Sequence, residues 1–404
     1  MQKSNLNFYG LGIAPKILDT LFQMKFTTAT PIQHQTIPIA LEGKDIMGIA
    51  PTGTGKTLAF GIPLIQRLTH EKGRGLVLVP TRELALQVEE SILKIARPLE
   101  IRTATLIGGD PVYKQIQALA RNPRVLIATP GRLIDLMEQR KVRLADISIL
   151  VLDEADRMLD MGFAPQIDRI LQTVPSQRQS MLFSATMPAS IVKMTYKYMK
   201  FPVQVEVAPS GTAAEQVTHE LFIVKRDRKR ELLEKILAQY RGSVLLFCRT
   251  KIGTAKIGRL LRDMGHSATE IHSDRTLEQR KKSLLGFKLG KFRVLAATDI
   301  AARGIDVSGI ELVINYDLPD NPENYVHRIG RTGRAGCTGH AISFAAPDER
   351  KDVLSIEKLI KKTLPISKHP DLPAENFDKP QMVFSSQSFR SRHSRGFSRN
   401  RRYR

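Results

Sequence analysis

Five short stretches in the first half of the chain are apolar from end to end: DIMGIA (45–50), GLVLVP (75–80), VLIATP (125–130), SILVLD (148–153) and SMLFSAT (180–186). A strand with one wet face alternates in polarity, so strands this uniform must be covered on both faces. Between them lie segments with helical spacing, such as RELALQVEESILKIAR (82–97) and FAPQIDRILQTV (163–174). Apolar strands crossed over by helices predict an α/β domain built on a mainly parallel sheet flanked by helices.

The pattern stops and then restarts. Residues 209–217, around SGTAAEQ, are small and polar and read as a linker. Strand candidates resume with THELFIVK (218–225), SVLLFCRT (243–250), the run to EIHS (270–273), RVLAATD (293–299), ELVINYD (311–317) and GHAISFA (339–345), with helix-like RKRELLEKILAQY (228–240) among them. Two tandem α/β domains are expected, 1–208 and 218–365, which repeat an architecture without repeating a motif. From residue 366 the periodicity fails. SSQSFRSRHSRGFSRNRRYR (385–404) carries seven arginines and no acid, so 366–404 is expected to be a disordered basic tail that tethers RNA, its Phe389, Phe397 and Tyr403 stacking on bases.

Charge narrows the partner class. The net charge of +22 favours polyanions, and only +6 of it falls at 366–404, leaving +16 for the rest. No apolar run approaches the roughly 18 residues that span a bilayer, and MQKSNLNFYG lacks a signal pattern, so a cytoplasmic protein without a membrane partner is expected. Cys248 and Cys337 form no metal or disulfide spacing and read as reduced thiols.

APTGTGKT (50–57) follows the strand DIMGIA and precedes a helical stretch, the context a P-loop requires. Gly53 and Gly55 let backbone N–H groups approach phosphate oxygens, Lys56 reaches the β and γ phosphates, and the Thr57 hydroxyl ligates Mg²⁺. Ala50 stands where the strict pattern has glycine. Farther on, ILVLDEADRM puts Asp153 and Glu154 at the end of an apolar strand. Acids there suit two tasks, one holding Mg²⁺ and its neighbour polarising an attacking water.

With DEAD at 153–156, the P-loop, SAT (184–186) and HRIGRTGR (327–334), the chain up to about Pro365 resembles the DEAD-box ATP-dependent RNA helicases, and most of all their bacterial RhlE-type subgroup. The resemblance implies two RecA-like domains closing around ATP, Mg²⁺ and one RNA strand, in a monomer acting on ribosomal precursors, RNA-decay complexes or cold-stabilised RNA. An ATP-gated RNA clamp and a DNA translocase are the alternatives. It also implies site residues. Phe8 and Gln33 would recognise adenine, Thr52, Gly53, Thr54, Gly55, Lys56 and Thr57 the phosphates, and Asp306 the ribose. Pro80, Thr81, Arg82, Gly108, Gly109, Thr129, Pro130, Gly131 and Arg132 would hold RNA from the first domain, and Arg249 and Thr298 from the second. Asp156, Ser184, Thr186 and His327 would couple the two sites, and Arg331 and Arg334 would act as arginine fingers. The chain departs from the family pattern at Lys25 and Ala29, which bears on nucleotide affinity, and at Ser273 and Leu277, which weakens the expected RNA contact of Arg280. Arg303 is expected to be structural, and Arg328 has no assigned role. Asn321 and Pro322 should start a helix that carries both Arg328 and Arg331.

Overall fold

The computed structural model describes residues 7–51, 53–207, 217–302, 310–333 and 339–378. Seven strands come from the first half: β1 (Ile46–Ile49), β2 (Arg74–Leu78), β3 (Thr103–Leu106), β4 (Val125–Ala128), β5 (Ile147–Leu152), β6 (Gln179–Ser184) and β7 (Val203–Glu206). Seven more follow: β8 (Val217–Ile223), β9 (Val244–Phe247), β10 (Ala268–Ile271), β11 (Val294–Ala297), β12 (Leu312–Asn315), β13 (Gly339–Ala345) and β14 (Ile366–Ser367). The first sheet runs β3-β4-β2-β5-β6-β1-β7 and the second β10-β11-β9-β12-β13-β8-β14. Every pairing in both is parallel.

The two orders are the same permutation, so the chain winds the same fold twice. Both faces of each sheet are dry, as uniform apolar strands demand. In β2, Leu76 and Leu78 face one core while Val77 faces the other. In β9, Val244 and Leu246 face one core and Leu245 and Phe247 the opposite one.

The repeat corrects the tail boundary expected at residue 366. Ile366 and Ser367 pair with Leu221 and Phe222 of β8, filling in the second sheet the place that β7 fills in the first. The chain then stays on this domain, with Leu372 and Phe377 packed against its cores. A two-residue strand after Pro365 has no periodicity to read, and half-polar TATL at β3 lacks a strand signature for a similar reason. Residues 379–404, Cys337, and all but Val217 of the expected linker lie outside the described residues. Cys248 is a buried free thiol, and no described helix is long and apolar enough to cross a membrane.

Parallel winding also decides where chemistry collects. β5, β6 and β1 are neighbours, so the loops leaving their C-terminal ends share one crevice. Those loops carry DEAD, SAT and the P-loop.

Candidate nucleotide and nucleic-acid site

The P-loop leaves β1 beside SAT, with the Ala50 N–H donating to the Ser184 carbonyl at 3.0 Å. Gly53 and Gly55 adopt φ of 84° and 90°, a conformation that penalises side chains. A Cβ on Gly55 would also overlap the Gln33 amide nitrogen. Gln33 is buried, its Oε1 accepting from Thr30 N at 2.9 Å and its Nε2 donating to the Gly55 carbonyl at 3.0 Å. The adenine candidate thus also braces the phosphate loop, and one N–H and one lone pair of its amide remain for a base. Phe8 is buried in the apolar cluster of the first domain. Lys56 opens the helix Lys56–His70, and its buried ammonium donates to the Ala50 carbonyl at 3.0 Å, across the mouth of the loop.

Asp153 and Glu154 follow β5, and both are buried. Burial raises the Asp153 carboxyl to about 7, against the opposing pull of Lys56. Burial pushes Glu154 the same way, yet Arg157, Lys56 and Arg331 outweigh it and hold Glu154 below the ordinary carboxylate range. Two adjacent acids therefore differ in protonation because only one has several cations around it. Glu154 sits at φ 51° and ψ 51°, a left-handed conformation unusual for a side chain, which bends the backbone sharply into the next helix. Arg157, one turn along, forms a buried ion pair with Glu154. Spacing of i, i+3 was its sequence signal.

Asp156 gathers the SAT segment. Its Oδ2 accepts from Thr186 N at 2.9 Å, Thr186 Oγ1 at 3.0 Å and Ala185 N at 3.0 Å, while its own N–H donates to Ser184 Oγ at 3.3 Å. Ser184 and Thr186 thus engage this acid, the last of the DEAD box. From the second sheet, His327 Nε2 approaches Asp156 Oδ2 to 3.9 Å. Burial lowers the His327 imidazole to about 4, so it is neutral at pH 7.

The helix bearing His327, Pro322–Ile329, starts as expected: Asn321 Oδ1 accepts from Glu323 N at 3.0 Å and Pro322 occupies the first turn. It ends two residues earlier than expected, with Gly330 as its C-cap, so Arg331 lies on the following turn rather than on the helix. Arg331 is 3% exposed, its Nε donates to the His327 carbonyl at 3.2 Å, and its charge acts on Glu154 of the first sheet. Arg328 points the other way. It is 1% exposed and grips Asp299 with Nε at 2.6 Å and Nη2 at 2.8 Å, while Nη1 donates to Asn315 Oδ1 and the Asp317 carbonyl. Its role is internal: it fastens the helix to β12 and to the Asp299–Ala302 turn. Thr52, Arg303, Asp306 and Arg334 lie outside the described residues.

Beside this crevice, a cleft of about 480 Å³ is lined by Pro80, Thr81, Arg82, Gly108, Thr129, Gly131 and Arg132 from the first half, with Ser273 and Arg280 from the second. Thr81 caps the helix Arg82–Ala96, accepting from Leu84 N at 3.3 Å, and Thr129 and Pro130 begin the helix Pro130–Glu138. Two helix N-termini opening on one cleft suit phosphate oxygens. Gly109 adopts φ 76°, a conformation that penalises side chains, and the Arg82 guanidinium packs over Gly108 and Gly109. Arg132 Nη1 donates to the Asp110 carbonyl at 3.2 Å. Gln115, unmarked in the sequence, is buried and holds both the N–H and the carbonyl of Ile107, fixing the turn from behind.

The second-half candidates stand differently. Arg249 pairs with Asp320 and Glu349, each at 3.2 Å, and Thr298 receives the backbone N–H groups of Ala301 and Ala302. Arg280 reaches across to Glu83 at 2.8 Å, both side chains buried, so its partner here is an acid of the first domain. That pairing has no local sequence signal.

A P-loop and strand-end acids on one parallel sheet, faced by a buried guanidinium from a second sheet of identical winding and flanked by a cleft with two helix N-termini, define a two-domain P-loop NTPase that works on nucleic acid. Comparison with known proteins narrows the class. Residues 30–195 match the DEAD/DEAH box helicase family model and 228–336 the helicase conserved C-terminal domain. The chain is 41% identical over 370 residues to the DEAD-box ATP-dependent RNA helicase CshA of Bacillus subtilis, covering 91% of this chain and 75% of that one. It is 42% identical to the ATP-dependent rRNA helicase RRP3 of Debaryomyces hansenii, covering 90% and 77%. Among solved structures, S. cerevisiae Dbp5 bound to RNA and ADP BeF3 superposes with a TM-score of 0.81 at 30% identity, over 90% of this chain and 95% of that one. The DEAD box protein of Methanococcus jannaschii is 38% identical over 90% and 99%, yet its TM-score is only 0.53. The overall arrangement thus follows that of the RNA- and nucleotide-bound chain more closely than that of the more similar sequence. The chain belongs to the DEAD-box ATP-dependent RNA helicases. Its Bacillus subtilis relative carries the CshA name, so the family stands and the RhlE-type subgroup does not follow from it.

Proposed function

We propose that ATP hydrolysis in this helicase is completed by closure of the two sheets on one RNA strand, with the nucleotide site divided between them. The observation that carries this reading is the electrostatic surround of Glu154. Lys56 and Arg157 reach it from the first sheet and Arg331 from the second. A carboxylate kept ionised in a buried crevice can accept a hydrogen bond from the attacking water, and this one has its full set of cations only when the domains meet.

In this reading Lys56 and the amides of Gly53, Thr54 and Gly55 bind the phosphates. Gln33 and Phe8 recognise adenine, while Thr52 and Asp306 complete the nucleotide contacts. Arg331 and Arg334 stabilise charge on the departing phosphoryl group. The buried Asp153 carboxyl, raised to about 7, ionises fully only when more positive charge arrives, and Thr57 opens the neighbouring helix, so this donor pair fits Mg²⁺. Bound there, Mg²⁺ would neutralise phosphate charge. RNA lies in the 480 Å³ cleft. Pro80, Thr81, Arg82, Gly108, Gly109, Thr129, Pro130, Gly131 and Arg132 hold its backbone, so binding is independent of sequence. Arg249 and Thr298 join it from the second domain, where Arg249 exchanges an acid partner for a phosphate. Ser184, Thr186, Asp156 and His327 link the two sites. A single chain supplies both halves, which supports a monomer, and its similarity to a bacterial helicase supports action in the cytoplasm. The basic segment beyond residue 378 serves as an RNA tether, and ribosomal precursors or RNA-decay complexes are the substrates.

The test is phosphate release with and without RNA, beside displacement of a short duplex. RNA should stimulate release, and Lys56→Ala and Glu154→Gln should abolish it. Equal release with and without RNA would refute the coupling.

A further inference from the structure

An open cleft of the first domain lies on the side away from the nucleotide. It has a volume of about 780 Å³ and is lined by residues 69–74, 119, 122–124, 141–143 and 146, at the N-terminal ends of the adjacent strands β4, β2 and β5. Loops carrying P-loop, DEAD and SAT leave the opposite ends of the sheet. With four to six residues per strand at about 3.3 Å each, the two edges are separated by roughly 15–20 Å, beyond the ~8 Å screening length of physiological salt.

The acids in this cleft are already neutralised. Glu71 is paired with Arg67 at 2.5 Å and Asp146 with Arg74 at 2.6 Å. Arg124 is committed to structure, donating to the carbonyls of Leu68, Glu71 and Gly73. Arg74 also donates to the Arg143 carbonyl, which ties the 141–146 loop to the floor. What remains is Lys72, Lys141 and Arg143, all exposed and, among the described residues, none with an ion pair. Three unmatched cations ring a fixed concavity. No Phe, Tyr or Trp lines it, so nothing there stacks on a base.

We propose that this cleft is a second RNA site, which takes backbone phosphates of the strand or duplex that continues beyond the segment in the 480 Å³ cleft. Contacts to phosphate alone make it indifferent to sequence and tolerant of duplex. It therefore holds the flanking RNA while the first site acts on a short stretch.

The experiment uses the full chain carrying Lys72→Glu, Lys141→Glu and Arg143→Glu together. All three side chains are exposed, and wild-type ATP turnover with a single-stranded oligonucleotide just long enough for the first cleft reports that the variant is folded. Binding is then measured across a salt series to that oligonucleotide and to a hairpin RNA carrying the same single-stranded segment. Short-oligonucleotide affinity should stay within about twofold. Hairpin affinity should fall at least tenfold, and the slope of log K against log salt should shrink by about 2–3, the equivalent of three lost phosphate contacts. A triple Gln variant should show a smaller loss in the same direction. Unchanged hairpin affinity and slope would overturn the proposal and leave the cleft to some other acidic partner. Equal losses for both RNAs would also overturn it, since they would report bulk charge rather than a site.

Discussion

Replacing Arg331 with alanine separates a catalytic guanidinium from a sticky one. Arg331 is 3% exposed, donates to the His327 carbonyl and faces Glu154, all on the nucleotide side of the closed crevice. It does not line the 480 Å³ cleft assigned to RNA. Removing it still leaves Lys56 and Arg157 beside Glu154, so that acid stays ionised and the general loss of charge is modest. What disappears is a donor preorganised for the transferring phosphoryl group. Such a donor is worth about 10³–10⁵ in turnover, or ~4–7 kcal/mol of barrier. A lost phosphate contact, by comparison, would weaken RNA binding and its salt dependence. Single-turnover ATP hydrolysis at saturating RNA should therefore fall at least a thousandfold in Arg331→Ala, with RNA affinity in the presence of a non-hydrolysable ATP analogue changed less than tenfold. Arg331→Lys should recover little, because a point charge does not replace a planar fork. If RNA affinity drops more than turnover does, the finger assignment is wrong.

Arg328→Ala should act on stability alone, because it strands the half-buried Asp299 carboxylate and the buried Asn315 amide; a loss of about 3–5 kcal/mol in urea unfolding of the second domain is expected, and a loss below 1 kcal/mol would contradict the strut role. Gly55→Ala puts a side chain at φ 90° against the Gln33 amide and should weaken ATP roughly ten- to hundredfold in nucleotide titration while leaving nucleotide-free RNA binding unchanged. His327 gives a pH signature. Its folded pKa of about 4 lies below the unfolded 6.5, so the unfolded chain takes up the proton first as pH falls, and stability is lost progressively from 6.5 towards 4. The loss should reach about 2 kcal/mol by pH 5 in urea titrations, and His327→Gln should flatten that slope; an unaltered slope would place the sensitivity elsewhere.

Much of the nucleotide half was legible because its parts are local. APTGTGKT and DEAD each act within one loop, and the backbone geometry they need is written in their glycines and in the strand before them. Contacts made between distant segments were not legible. Arg328 and Arg331 look alike in sequence, yet a helix that stops at Ile329 turns one inward to Asp299 and leaves the other beside Glu154. The hydroxyls of SAT were expected only to help couple the two sites, and nothing in the sequence said that they converge on Asp156. Ile366 and Ser367 carry no strand pattern at all, and only the unfilled edge of a repeated topology explains their place.

The departures at Ser273 and Leu277 also gain a physical meaning from this division. Leu277 belongs to a helix of the second half, Leu277–Lys288, but is buried in an apolar cluster of the first sheet. One turn along, Arg280 pairs with Glu83 next to the RNA candidate Arg82. A leucine in this contact gains free energy by leaving water and needs no geometric match, whereas a hydrogen-bonding side chain would be held to one relative position of the sheets. The apolar contact therefore supplies adhesion, while the Arg280–Glu83 ion pair supplies register. The same arrangement of the two sheets sets the Arg331 guanidinium close enough to act on Glu154.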